Sequence, residues 1–389
     1  MNTPRAARIL PSEIVIEIFS WLPVKTLMQI KCLSKSWKSF ISNNPKFAKL
    51  HLKRSPNNTH ILLAFKDDIN YDDEETCFIS CSMRRLLEDP SSMIDEDKCY
   101  HLKGKYLVVG SCNGLVCLGN SHDAGLIEEF WVRFWNPTTR LSSEKSPTFQ
   151  MNLRTQEFVS RGKMNCGFGY DDLHDTYKVV VVFWDCTQQK MEIWVHCMGD
   201  SCWRNILSNP PLLQNQISGH FVGGCVNWLA IDKLNGPNYQ WGNVTLQNLK
   251  IFSFDLRKEK YKLVPLPQGI NEVPHVEPDL GVLRNHMCLI HDHERTHFVV
   301  WKMTQYAIQE SWTRLVSISY EHLNCDGFRF RPLPICLFED DDSLLLAYTE
   351  EVVMYNLRDN SLENIQLPNN KYWLNVNGYV QSLVLPCHY

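Results

Sequence analysis

Two regimes of hydrophobic spacing divide the chain. Between residues 10 and 41 apolar positions recur at intervals of three and four, the period of a helix. Beyond about residue 60 they gather in short runs separated by turn-forming residues, the habit of strands. The stretch "LPSEIVIEIFSWLPVKTLMQIKCLSKSWKSFI" (10–41) is punctuated into three predicted helices. Pro11 or Ser12 starts the first, and Glu13 suits its positive end. Leu22-Pro23 stops it and pre-sets the first turn of the second. The third, Ser34 to Ile41, ends at Asn43-Asn44-Pro45.

Along the first helix, Glu13, Glu17 and Ser20 form one narrow polar stripe. Ile14, Ile18 and Trp21 make an apolar stripe beside it, and Val15, Phe19 and Leu22 make a second. One of these can pack on the other helices through Leu27, Ile30, Leu33, Trp37 and Phe40; the other is surplus. A unit of roughly 40 residues does not normally hold itself together, so the surplus face has to meet something. On these residues alone two outcomes stand level: the face packs on the chain's own β part, or it is kept for a partner.

The β part carries a loose repeat from about residue 105. Each unit opens with an apolar hairpin, as in "YLVVGSCNGLVCLGN" or "GHFVGGCVNWLAID", and closes with an aromatic-rich strand, a turn and a further strand, as in "LKIFSFDLRKEKYKLVPLP". Turn markers near Gly114, Tyr170, Gly224, Asn285 and Asp341 recur at roughly 55–60 residues, close to the ~50 of kelch-type blades. A four-stranded sheet has two apolar faces and cannot bury them alone, whereas blades set around an axis bury one another. Five units are visible. A sixth is expected from residues 60–83, closed by a C-terminal strand at 378–386, "GYVQSLVLP", which would join the chain ends and lock the ring.

Composition narrows the function classes. A net charge of −4 gives no broad electrostatic reason to bind nucleic acid or an anionic membrane. Fifteen cysteines, an odd number with no C-x-x-C pair and many in apolar runs, suit buried thiols in a reducing compartment. The N-terminus lacks the pattern of a secretion signal, and no run approaches the roughly 18 apolar residues of a membrane span. The expectation is a cytoplasmic or nuclear protein in which the sequons at Asn57 and Asn243 are idle.

Candidate chemistry is thin. "HMCLIHDHERTH" (286–297) holds metal-ligating residue types, but the spacing fits no common zinc site and reads as a hairpin tip. Gly167-Phe168-Gly169 lies in a repeat hairpin and is not a phosphate loop, and no segment offers a nucleophile elbow. Trp135, Trp203, Arg204, Trp312 and Arg314 lie near repeat turns, where they could form a protein-binding rim or pack between blades; packing is the stronger reading.

The helical block resembles an F-box in Leu10-Pro11, Leu22-Pro23-Val24, Cys32-Leu33-Ser34-Lys35-Ser36-Trp37 and Phe40-Ile41, over about residues 8–48. That resemblance implies an apolar face docked on a Skp-family adaptor and, through it, a cullin scaffold. By position the contact passes to Leu10, Pro11, Ile14, Ile18, Leu22, Pro23, Val24, Leu27 and Cys32, with Trp37 internal to the block. The remainder resembles the kelch-like F-box-associated domain (type 1) of a large plant family in "SCNGLVCL", "WNPTTR", "GFGYDDLHDTYKVV", "FSFDLRKEKYKLVPLP" and "ESWTRLVSI". The implied fold is mainly β: a three-helix F-box (8–48), a linker (49–59) and a β-propeller of six kelch-like four-stranded blades (60–389). The implied function is that of a non-catalytic, cofactor-free substrate-recognition subunit of an SCF-type (Skp–cullin–F-box) ubiquitin ligase. It would recruit a protein substrate that the sequence does not identify, and involve neither nucleic acid nor membrane. Two rivals remain: a binding propeller outside any ligase with the helical block as its cap, and a propeller lectin or enzyme.

Overall fold

A computed structural model of the chain describes residues 11–55, 60–67, 75–83, 99–123, 127–151, 164–206, 210–213, 218–232, 239–324, 332–338, 342–348, 351–365 and 371–387. Helices α1 (Ser12–Phe19), α2 (Val24–Ile30), α3 (Lys35–Asn43) and α4 (Pro45–Arg54) come first, and strands follow to the C-terminus. The expected three helices are joined by a fourth, because Asn43-Asn44-Pro45 both stops and starts. The Asn44 side chain accepts a hydrogen bond from the Phe47 N–H at 3.0 Å, and Pro45 occupies the first turn. Ser34 caps α3 in the same way, accepting from the Trp37 N–H at 3.1 Å. Helix α4 runs through the boundary expected at residue 48 and into the segment read as linker.

The strands build a propeller, but not six separate blades. Among the described residues four sheets stand as discrete blades, three of four strands and one of five, and the remaining strands form a single nine-stranded sheet. The expected count of six is therefore corrected to four blades standing alone. The merger lies where Ser218 and Gly219 pair in parallel with Cys166 and Gly167, so the repeats 164–206 and 218–264 share hydrogen bonds. Glycine allows that approach: a Cβ on Gly167 would lie 2.2 Å from a Val226 methyl, and one on Gly219 2.3 Å from the Trp228 ring. The two halves of the sheet face each other across Val180, Val182, Ile193, Trp228, Phe252 and Phe254.

Hairpin chemistry matches the turn markers. Asn113-Gly114 has φ values of 51° and 80°, Arg284-Asn285 of 49° and 61°, and Gly223-Gly224 of 63° and 77°. These are the left-handed pairs that two-residue hairpins need. Tyr170 sits one residue before the end of its strand, Met164–Asp171, and Asp341 lies outside the described residues. Apolar clusters fill the spaces between successive sheets, so the core is distributed around the ring.

The ring closes through the chain ends, but earlier than expected. Strand Lys371–Tyr379 pairs antiparallel with His60–Asp67, from His60↔Tyr379 to Asp67↔Lys371. Most of the segment read as the closing strand therefore lies beyond it. Residues 380–387 form no strand, yet Ser382, Leu383 and Val384 are buried.

One ionic cluster spans the nine-stranded sheet. The Lys178 ammonium lies 2.9 Å from Asp171 Oδ2, 2.9 Å from Glu259 Oε1 and 2.7 Å from the Leu256 carbonyl oxygen. Burial pushes the Asp171 carboxyl up, but hydrogen bonds from Lys178 and His174 outweigh it and hold it at about 2. The Arg204 guanidinium, working against burial and helped by Lys178, holds Glu259 at about 2. Asp171, His174 and Lys178 belong to the repeat segment "GFGYDDLHDTYKVV" and Leu256 and Glu259 to "FSFDLRKEKYKLVPLP", so those segments mark a contact between neighbouring repeats.

Candidate docking face

Each helix of the N-terminal block has seven to ten residues, too short to persist alone, so packing decides what forms. The inner side gathers Val24, Leu27, Ile41, Phe47 and Ala48, with Phe19, Trp37 and Phe40 against them; Phe19 and Trp37 lie 4.9 Å apart between ring centroids. Of the stripe Val15, Phe19, Leu22, all half-buried, Phe19 and Leu22 pack on this core, and Ile16 joins them. The stripe Ile14, Ile18, Trp21 faces out, at 46%, 47% and 64% exposure. Isolated exposed apolar residues are ordinary, but here three large ones stand in a row on one helix.

The expected contact residues divide three ways. Pro11, Ile14, Ile18, Pro23 and Cys32 are exposed, and Leu22 is half-buried. Val24 and Leu27 are enclosed in the block, where they support the face from beneath. Leu10 lies outside the described residues. Leu33, assigned from the sequence to inner packing, is instead 77% exposed, because the turn after α2 carries it outward before Ser34 caps α3. Trp21 thus extends the exposed row beyond the expected set, and Leu33 is a further large apolar side chain left in solvent. For Trp21 the signal was present, three residues after Ile18 on the same stripe.

Helix α4 reaches two residues of the polar stripe of α1, Glu17 and Ser20. Arg54 pairs with Glu17 at 2.9 Å, donates to the Ser20 hydroxyl, and stacks its guanidinium 4.8 Å from the Trp21 ring centroid. Trp21 Nε1 donates to Glu17 Oε1 at 3.3 Å, and the two hydrogen bonds, Arg54 first, hold the Glu17 carboxyl below its usual range. His51, buried on α4, sets its Nε2 at 2.8 Å from the Leu22 carbonyl oxygen in the turn between α1 and α2. Burial pushes the His51 imidazole below its ordinary value, against the pull of that bond. The neutral ring with a proton on Nε2 donates to Leu22 and so fixes the chain just before Pro23.

Helix α4 also ties the block to the propeller. Lys49 forms an ion pair with Asp175, and Leu52 packs on the cluster holding Phe168, Tyr177, Met198 and Val384. A cleft of about 510 Å³ lies along this join, lined by Leu52, Tyr170, Met198 and Leu385 among others. The surplus stripe of α1 therefore does not pack on the propeller; α4, a helix outside the expected three, makes that contact.

Elsewhere the candidate chemistry is occupied by structure. Trp135 is buried and stacks on Tyr100 at 4.7 Å. Trp203 and Trp312 are buried, with indole N–H groups donating to the carbonyls of Pro147 at 2.8 Å and Pro265 at 3.4 Å. Arg204 is engaged with Glu259, while Arg314 is exposed. His286–His293 and His297–Met303 are paired strands, and Trp301 Nε1 donates to His291 Nε2 at 3.0 Å. Among the described residues no three His, Cys, Asp or Glu side chains are placed to share a metal ion, and no helix is long and apolar enough to cross a membrane. An axial cavity of about 300 Å³ is lined by the innermost strands, including Ser111, Ser218, His220 and Arg284.

Comparison with known proteins covers both parts of the chain. Residues 9–49 match the F-box domain family, and residues 60–323 match the F-box associated beta propeller domain. An F-box/kelch-repeat protein of Arabidopsis thaliana is 28% identical over 89% of this chain and 87% of its own length. The F-box protein CPR1 of the same plant is 25% identical over 97% and 89% respectively. An F-box/LRR-repeat protein, also of Arabidopsis thaliana, is 26% identical over 82% and 70%.

Proposed function

This chain belongs to the F-box proteins that carry an F-box associated β-propeller domain, and on that premise we propose that it is the substrate-receptor subunit of an SCF-type ubiquitin ligase. The observation that carries the reading is the outward row Ile14, Ile18, Trp21 on a helical block whose other side is already packed. In this reading Pro11, Ile14, Ile18, Leu22, Pro23 and Cys32 meet a Skp-family adaptor, with Leu10 at the entry to α1 and with Val24 and Leu27 shaping the surface from within. The adaptor connects the chain to a cullin scaffold. The propeller holds a protein target, and no residue of the chain reacts: placing a target lysine near a charged ubiquitin carrier raises its effective concentration.

The test is capture by a purified Skp-family adaptor. Wild type is expected to bind, and Ile18→Asp to bind at least ~30-fold more weakly, because a carboxylate is driven into an apolar contact worth about 2 kcal/mol or more. Ile18 is half exposed and outside the inner packing, so the thermal midpoint should hold. Failure of the wild type to bind, or undiminished binding by Ile18→Asp, removes the proposal.

A further inference from the structure

The inner packing of the helical block is completed from the far end of the chain. Leu383 is buried among Val24, Leu27, Ile41, Phe47 and Ala48, more than 300 positions away in sequence. Its neighbours face the other way. Val384 packs in the propeller cluster with Phe168 and Tyr177, and Ser382 is fully buried.

The segment is held to the propeller by Asn136, the last residue of strand Glu128–Asn136. Asn136 Nδ2 donates to the carbonyl oxygens of Ser382, at 3.0 Å, and Val384, at 2.8 Å. Its Oδ1 accepts from the backbone of Thr138 at 2.9 Å and Thr139 at 3.3 Å, which fixes the amide's orientation. Gly114 leaves the space: a Cβ there would lie 2.2 Å from the Ser382 hydroxyl oxygen. The segment also follows directly on Lys371–Tyr379, the strand that closes the ring against His60–Asp67.

We propose that residues 380–387 couple ring closure to docking, so that only a chain whose propeller has closed presents a finished docking face. Leu383 reaches the helices because Tyr379 is paired to His60 and Asn136 clamps the two carbonyls flanking Leu383. Without ring closure neither anchor exists, and four short helices lose a central side chain of their core. The output side of this coupling rests on the adaptor-docking reading; the completion of the helical core does not.

The experiment uses the full chain with three variants: Leu383→Ala, Leu383→Met and Asn136→Ala. Amide hydrogen exchange is followed in α1–α4 and, as an internal control, in strand Thr176–Asp185. Capture by a purified Skp-family adaptor is measured in parallel. Leu383→Ala should raise exchange in α2–α4 by roughly 30-fold or more, the range for a buried leucine truncation, and weaken adaptor capture, while the control strand stays protected. Leu383→Met should restore both, and Asn136→Ala should reproduce the leucine defect in weaker form. Unchanged helical exchange in Leu383→Ala, or a variant with raised exchange that captures adaptor as tightly as wild type, overturns the coupling. If wild type captures no adaptor, the docking reading fails separately and the exchange results alone decide whether Leu383 completes the core. Should Leu383→Ala also lose protection in the control strand, the local plug described here is wrong, and Asn136→Ala would show the same global loss.

Discussion

Replacing Lys178 with Met keeps most of the side chain's length and deletes its charge. The Lys178 side chain is 5% exposed and touches a carboxylate, Asp171, with no exposed surface at all. After the substitution Asp171 keeps the backbone N–H groups of Leu173 and His174 and the His174 ring, but loses its buried cation. Breaking a buried pair from one side costs about 3–5 kcal/mol, because a charge is left without compensation. Glu259 is less affected, since Arg204 still reaches both its oxygens. Unfolding entropy of about 2.1 cal/mol/K per residue over a propeller of about 330 residues turns that loss into a fall of about 4–7 °C in the thermal midpoint.

The pH dependence sharpens the test. Asp171 and Glu259 are both depressed, so the stability they contribute is fully present above their unfolded values near 4 and is lost as pH falls towards 2. In the variant Asp171 loses the hydrogen bond and the charge of Lys178 while its burial stays, which raises its value. The gap between variant and wild type should then be widest at pH 7 and narrow towards pH 4.5, where protonation relieves the stranded charge. Calorimetric or circular-dichroism melts at the two pH values measure this. A midpoint within 1 °C of wild type at pH 7, or a gap that does not change with pH, would refute the reasoning. Arg257, paired with Asp172 but 49% exposed on its side chain, sets the contrast: its removal should shift the midpoint far less than Lys178→Met, because solvent screens the pair.

Two further outcomes follow from the same contacts. Gly114→Ala places a methyl on Ser382 in a residue with φ of 80°, so it should destabilise by about 2 kcal/mol or more and raise exchange in α2–α4 as well as in the hairpin; an effect confined to the hairpin would count against the close approach. His51, whose value burial lowers, stabilises the block in its neutral form, so that contribution is complete above the ordinary histidine value and fades as pH falls below it. Exchange protection in α1–α4, taken relative to the intrinsic rate at each pH, should fall between about pH 7 and pH 5 in wild type and lose that dependence in His51→Phe. The readout has to be local, because His60 and His220 in the propeller are also carried down, to about 4 each, by burial.

Much of the design is local and could be read along the chain. Pro23 and Ser34 set helix boundaries by their own stereochemistry, and Asn113-Gly114 sets a hairpin by its φ preferences, so no distant residue is needed to infer them. The two apolar stripes of α1 were likewise legible from spacing, as was closure of the ring by the end of the chain, although the closing strand is Lys371–Tyr379 and not 378–386. What spacing could not say was which stripe would be covered. That depends on α4, whose start shares its residues with the end of α3, and on Arg54 reaching back to Glu17 and Ser20.

The blade count failed for a related reason. Repeats announce themselves through periodic turns, but whether two sheets stay apart or exchange hydrogen bonds depends on how closely Gly167 and Gly219 let their edge strands approach. The sequence by itself determined the element types, the turn chemistry and the presence of a surplus apolar row, because these follow from neighbours within a few residues. Only the tertiary structure decided that Val24 and Leu27 lie inside, that Leu33 lies outside, and that Leu383 completes a core begun near residue 24. Burial is a property of what arrives from elsewhere in the chain, and no local pattern records the arrival of a side chain from the other end.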